Sequence, residues 1–458
     1  MVTVSKTLGI DCMRASATAF ALFMGGLWCL AGSVSAASPD RAVADSVAKV
    51  YASEDQTVMA VDSSTTLDEF LAIAALQSPA LRQAFYRWRA SLEKTGYAGA
   101  MPDPMLSYGY FVENVETRVG PQNQKFSLKQ SIPWFGTLGS RRAIADEAAN
   151  AGFRKYQAEK LRLFYDVRAA YYDLYYLGRD IALTKDNLEL LKFWGSVALT
   201  KYKVALRKHP DVIKAQVELA KLEDRLLTLQ DKIGPTVAHL KAVVNLPDTV
   251  SIALPMAIDV VEVEIESYQV VSDALQWNPD LKAMMHLIDK EQAEVRLAGK
   301  SSLPNFTIGV DYIETGEALD PSMKGSGKDP WTIGVGINLP IWFGKNGARK
   351  NEARAKLQAA EYGFADAQRK LQALVEKIVF QYSDALRKTQ LYRDGLIPKA
   401  EQALKASYTA YQAAEIDFLS LLDAQRQLLA FQLQFERALV DLARHRAEIE
   451  MLTGNELL

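Results

Sequence analysis

The sequence predicts an α+β membrane protein built from a duplicated helix–hairpin–long-helix unit. Three observations carry this. An ordered set of residues recurs at a nearly constant spacing, and four short segments alternate strictly between apolar and polar side chains. Residues 137–208 run for 72 positions without proline, with apolar residues three and four apart.

The first element is removable. Lys6 and Arg14 precede the small and apolar run Ala15 to Leu30, and Val34-Ser35-Ala36 supplies a small-x-small cleavage pattern. Residues 1–36 are therefore expected to be a secretory signal peptide. The apolar run, about 16 residues, is short for a spanning helix. Initiation at Met13 would leave a shorter basic region before the same run. Both cysteines, Cys12 and Cys29, fall in this segment, and Trp28 before Cys29 is not the small residue a lipid-anchor site needs. Beyond residue 36 no stretch nears 18 unbroken apolar residues, so membrane insertion must be by β-strands. Residues 37–64 read as a polar N-terminal segment.

Composition removes several function classes. The 458 residues hold 53 basic and 55 acidic side chains, a formal net charge of −2, without the basic excess of a nucleic-acid binder. Four scattered histidines and no cysteine in the expected mature chain argue against zinc ribbons and thiol catalysis. No catalytic triad, phosphate loop or paired-carboxylate motif stands out, so neither enzyme activity nor a cofactor is expected. Met284-Met285-His286 reads as a helical core pair beside a surface histidine rather than a soft metal site, and no metal is expected.

The repeat fixes the domains. At an offset of 208, Trp134-Phe135-Gly136 falls on Trp342-Phe343-Gly344, Gly139 on Gly347 and Arg141 on Arg349. Upstream the offset is about 200, where Pro79-Ala80-Leu81 meets Pro279-Asp280-Leu281. The first repeat is set at 65–250, the linker at 251–266, the second repeat at 267–454 and a tail at 455–458. In the first copy, periodicity predicts a helix over 66–98 and a long helix over 137–208. At 1.5 Å per residue the latter spans about 108 Å, far beyond a compact domain, so it belongs to a coiled coil or a helical tube. Lys208-His209-Pro210-Asp211 breaks it, and a second helix follows to about Asn245. In the second copy, helix is predicted over 346–394, with an interruption from Gly395 to Pro398, then over 399–413. A turn at Ala414 to Asp417 and a last helix over 418–453 complete it.

Strands are predicted at 105–112, 125–132, 306–313 and 331–339. Leu106, Tyr108, Tyr110 and Val112 share one face of the first; Trp331, Ile333, Val335, Ile337 and Leu339 share one face of the last. Segments of this length with one wholly apolar face, in an exported chain, fit transmembrane barrel strands. Four cannot close a tube in lipid, where open edges cost several kcal/mol per unsatisfied group. Copies must pool them: two give eight strands, three give twelve. Loops 113–124 and 314–330 would be outer tips. Lys125, Lys129, Asp311 and Asn338 would face a wet lumen. Trp134, Phe135, Trp342 and Phe343 would form an aromatic girdle at the membrane interface.

From about residue 65 to 454 the chain resembles the TolC-like outer-membrane efflux proteins of Gram-negative bacteria. The residues that carry this are Gln130 to Gly136, its counterpart Asn338 to Gly344, the run Tyr411 to Gln425 and the closing Met451-Leu452-Thr453-Gly454. The resemblance implies a homotrimer whose 12-stranded β-barrel in outer-membrane lipid continues into a 12-helix periplasmic α-barrel. It also implies a passive duct, coupled by a periplasmic adaptor to an inner-membrane pump. The Pro-Trp-Phe-Gly run looks most like the branch that serves heavy-metal pumps of the resistance-nodulation-division type. By the same resemblance the gate lies at the periplasmic helix turns. There Asp211 and Tyr411 match gate-network positions, while Asp423 and Ser420 match the two ring positions of the constriction. Ile416 replaces the arginine some members use, with Lys208 or Lys214 as substitutes. A protein-secretion duct shares this fold; a periplasmic adaptor or a coiled-coil structural protein would lack the paired hairpins.

Overall fold

The computed structural model describes residues 41–53, 65–203, 209–320 and 322–454. The expected signal peptide, the tail 455–458 and Lys208 lie outside these residues.

Helix α1 (Arg41–Ser53) lies within the segment 37–64, for which the sequence predicts polarity but no helix. Ala44, Val47 and Tyr51, three and four apart, line one face and are buried against Leu81, Phe85, Trp88 and Tyr156. Tyr51 meets Phe85 edge to face at 5.3 Å, and Trp88 stacks on Tyr156 at 5.8 Å. Small residues interleaved with charges hid the stripe.

The single helix expected over 66–98 is two: α2 (Leu67–Gln77) and α3 (Pro79–Ala98). Pro79 keeps Ser78 out of the helical region (φ −60°, ψ 118°), and Ser78 Oγ accepts the Leu81 N–H at 3.3 Å to start α3. Thr66 and Glu69 close a capping box on α2. The second half repeats the device. Asn278 ends α7 (Ser267–Trp277) and caps α8 (Pro279–Lys300) through Oδ1 to the Leu281 N–H at 3.0 Å.

Four antiparallel strands form one sheet in the order β1 (Met105–Thr117), β2 (Gly120–Ile132), β3 (Phe306–Thr315), β4 (Trp331–Ile337). The loop expected at 113–124 is mostly strand, because the pairing runs past a register shift at Tyr110/Val115 to a turn at Arg118-Val119. Gly120 (φ 131°) is required there: a Cβ would lie 1.8 Å from the Gly316 carbonyl oxygen.

Helix α4 (Thr137–Lys203) has 67 residues, about 100 Å of continuous rod. It is followed by α5 (His209–Asp231) and α6 (Ile233–Val244). In the second half come α9 (Phe343–Gln390), α10 (Ile397–Gln412) and α11 (Phe418–Thr453). The interruption expected at Gly395–Pro398 is instead a π-helical turn, Leu391–Leu396, that carries the rod on. Pro398 offers no N–H and crowds the carbonyl one turn back; the wider turn relieves both without ending the helix. Linker residues are fastened to this region: Tyr382 Oη donates to the Val263 carbonyl at 2.8 Å, and Arg393 pairs with Glu262.

A polar seam joins α4 to α11. Buried Glu436 accepts from Tyr175 Oη and Arg179 Nε, each at 2.7 Å, and Arg168 meets Glu450 at 2.6 Å. Asp180 takes two bonds from Arg225 of α5, at 2.9 and 3.1 Å.

Candidate functional site

Two regions draw the expected residues together: the sheet at one end of the helical rods and the α10–α11 turn at the other. Registration places Leu106 against Leu128 against Val310 against Ile333, and Tyr108 against Phe126 against Tyr312 against Trp331. These rungs make one apolar face across all four strands. It is open to solvent in the single chain: Leu106 is 73 %, Ile333 78 % and Val335 75 % exposed. A contiguous exposed surface of that kind needs an apolar partner. β1 and β4 each have one unpaired edge within the sheet.

The opposite face is polar. Lys125, Ser127 and Lys129 lie opposite Ile313, Asp311 and Gly309. Asp311 is held by the Ser127 hydroxyl and by Lys125 at 3.4 Å. Asn338 falls just past β4, where its side-chain oxygen accepts the Asn305 backbone N–H. At the junction with the helices, Phe135, Trp342 and Phe343 are exposed, whereas Trp134 stacks on Phe306 at 5.8 Å. Gly136 (φ 74°) turns the backbone into α4, and its carbonyl accepts from Lys300 Nζ at 2.5 Å.

At the far tip, α4, α5, α10 and α11 share one core: Leu191, Trp194, Ala215, Tyr411, Phe418 and Leu421 are buried together. Tyr411 packs its ring 5.5 Å from Phe418, with Lys201 Nζ 4.8 Å from the Tyr411 centroid. The same ammonium donates at 2.9 Å to the carbonyls of both Tyr411 and Gln412. A cation there satisfies the orphan C-terminal carbonyls of α10 and complements its dipole. The turn then passes through Ala414 (φ 65°), a left-handed non-glycine.

Asp417 caps α11, accepting from the Ser420 N–H at 2.9 Å and its hydroxyl at 2.6 Å. Ser420, expected at the constriction, thus has its hydroxyl engaged in starting the helix. Asp423 is exposed, and Arg426 reaches it at 3.2 Å. Arg426 Nε also donates to Glu218 Oε1 of α5 at 2.9 Å, and its Nη2 to Oε2. This hydrogen-bonded guanidinium holds the buried Glu218 carboxyl below the usual range, against the opposing effect of burial. Asp211 is buried in the first turn of α5, one turn before Ala215 of the shared core. Gln425 donates to Asn187 at 2.7 Å inside the same bundle.

The expected gate residues Asp211, Tyr411, Ser420 and Asp423 all lie at this tip, and sequence reasoning did not name Lys201, Glu218 or Arg426 beside them. Asp423 and Arg426 share a helix face at three-residue spacing, a legible sign. The bond to Glu218 crosses between helices 208 residues apart in sequence, so nothing local announces it. Within the chain, the charge-assisted Arg426–Glu218 bond thus ties α11 to α5.

The outer membrane efflux protein family model matches the chain twice, at residues 71–246 and 270–455. Nodulation protein T of Rhizobium leguminosarum bv. trifolii is 22 % identical over 385 residues, 78 % of each chain. The pyoverdine export outer membrane protein OpmQ of Pseudomonas putida is 23 % identical over 429 residues, 88 % of each. Among solved structures, the outer membrane protein VceC of Vibrio cholerae superposes with a TM-score of 0.70 at 17 % identity. That match covers 85 % of this chain and 96 % of that one.

Proposed function

The chain belongs to the outer membrane efflux protein family, and from that premise we propose that it is the outer-membrane duct of a tripartite efflux system. Three copies contribute four strands each to a 12-stranded barrel in the outer membrane, and the long helices form a periplasmic tube beneath it. One observation carries this: a four-stranded sheet with one apolar, solvent-open face and two free edges. Lipid is the partner such a face needs, and the edges of neighbouring copies are the partners such strands need. The polar face with Lys125, Lys129 and Asp311 then lines water, with Asn338 at its periplasmic rim. Trp134, Phe135, Trp342 and Phe343 sit at the interface between lipid and periplasm.

Gating follows from the tip. The Arg426–Glu218 tether, with Asp423, Asp211, Tyr411 and Ser420 around it, holds the helix pairs together in the resting state. A periplasmic adaptor opens the duct by binding the separated arrangement better. An inner-membrane pump, of the resistance-nodulation-division type by the Pro-Trp-Phe-Gly resemblance, delivers small solutes such as metal ions or drugs. The duct adds no chemistry of its own.

Cross-linking in native outer membranes tests the assembly. Bands at three chain masses, lost on heating in detergent, are expected. A chain recovered as a monomer, or in the soluble periplasmic fraction, would overturn the reading. Deletion of the gene separates cargo classes: hypersensitivity to small toxic solutes supports efflux, whereas retention of a secreted protein alone refutes it.

A further inference from the structure

Below the sheet, α4 and α8 run side by side, clipped at the top by Lys300 Nζ, which donates to Ser140 Oγ at 2.7 Å. About 10 Å further down α4, counted at 1.5 Å per residue from Ser140 to Glu147, three ligand-type side chains converge. Glu147 projects from α4; His286 and Asp289, three apart and hence on one face, project from α8. One donor atom from each lies within 4.8 Å of the others, and His286 Nδ1 stands 2.8 Å from Glu147 Oε2. Asn150 Nδ2 reaches the same Glu147 oxygen at 3.4 Å, orienting the carboxylate. His286 and Glu147 are partly buried, at 26 % and 29 % side-chain exposure, while Asp289 is open to solvent. The cluster is therefore held in place yet reachable.

We infer that Glu147, His286 and Asp289 form a binding site for a divalent transition-metal cation of the zinc class. The donor set decides the class. An imidazole nitrogen with two carboxylate oxygens suits zinc, cobalt or nickel; magnesium and calcium prefer oxygen alone. Two carboxylates balance a dication and a neutral imidazole adds no charge. The donor atoms, 2.8 Å apart for His286 and Glu147 and all within 4.8 Å of one another, bracket the roughly 3.4 Å separation that tetrahedral bonds of about 2.0–2.2 Å set. Water completes the coordination on the exposed Asp289 side. The site uses two helices of one chain and stands independently of the duct reading and of the gate residues at the opposite end. Its effect when filled is to tie α4 to α8 beneath the sheet.

The full-length protein in detergent is titrated with zinc chloride by calorimetry and with cobalt chloride by absorption. About one ion per chain is expected, with visible cobalt bands of a nitrogen–oxygen site. His286→Gln and Asp289→Asn should each weaken zinc binding at least tenfold and abolish the cobalt bands. Glu147→Gln keeps a hydrogen-bond acceptor for His286 but removes a negative ligand. It should leave the metal-free melting temperature near wild type while losing the rise that zinc produces. Zinc binding that is absent, or unchanged in Asp289→Asn and Glu147→Gln, would overturn the site. In that case His286 and Glu147 serve only as a hydrogen-bonded clip between helices.

Discussion

Arg426→Met is the sharpest test of the tip. The substitution keeps a long apolar stem and removes the guanidinium that spans Glu218 and Asp423. Hydrogen bonds to a charged group are worth about 1.5–3 kcal/mol. Arg426 is 43 % exposed at its side chain, so solvent screening reduces this to about 1–2 kcal/mol per chain. If three chains open together, the closed state loses about 3–6 kcal/mol, a change on the order of 10²–10⁴ in the closed-to-open ratio. Recordings of single channels in planar bilayers read this directly as a higher open probability at neutral pH. Glu218→Gln should act in the same direction, and the double variant should add little to either alone. The pH dependence has a definite sign. The Glu218 carboxyl is depressed in the folded state from an ordinary 4.5. Its stabilisation is complete above pH 4.5 and lost only as pH falls through the depressed value. Wild-type channels should therefore open in acid, and Glu218→Gln channels should lack that step. Wild-type conductance in both variants, or additive effects in the double variant, would refute the tether.

Further expectations concern the gate, the sheet and the core. Asp211→Ala and Asp423→Ala should each raise conductance in the same bilayer assay; unchanged conductance in both would remove these residues from the gate. Ile333→Arg, on the apolar face and 78 % exposed in the single chain, should cost about 2–4 kcal/mol if that position lies at the bilayer midplane. The yield of heat-resistant oligomer in outer membranes measures this, and an undiminished yield would argue that the face does not meet lipid. Trp88→Ala empties a site that is 1 % exposed and packed on Phe85, Phe153 and Tyr156. A loss of about 3–5 kcal/mol is expected, seen as a lower melting temperature without a change in conductance.

Family membership was legible in one dimension. The described helices contain none long and apolar enough to cross a membrane. The resemblance to TolC-like proteins holds at the level of the family. Alternating apolar residues located all four strands to within a few positions, because a two-residue period is a local property of the chain. Proline positions foretold breaks but not their form. Pro79 and Pro279 divide helices, whereas Pro398 sits in a rod that continues through a π turn, and the local sequence does not say which. Helix α1 escaped notice because its stripe is short and made of small residues.

What the amino-acid order determined by itself was periodicity: the repeat, the strands, the length of the rods and the apolar face of the sheet. What only the tertiary structure decided was which distant charges meet. Arg426 finds Glu218, Lys201 caps the carbonyls of Tyr411 and Gln412, and Glu147 faces His286, each across a gap of more than a hundred residues. The reason is physical. Backbone pattern is set by neighbours a few residues away, whereas an ion pair depends on the azimuth and register of two packed helices. Those are fixed by the whole buried surface between them and by no short stretch of either.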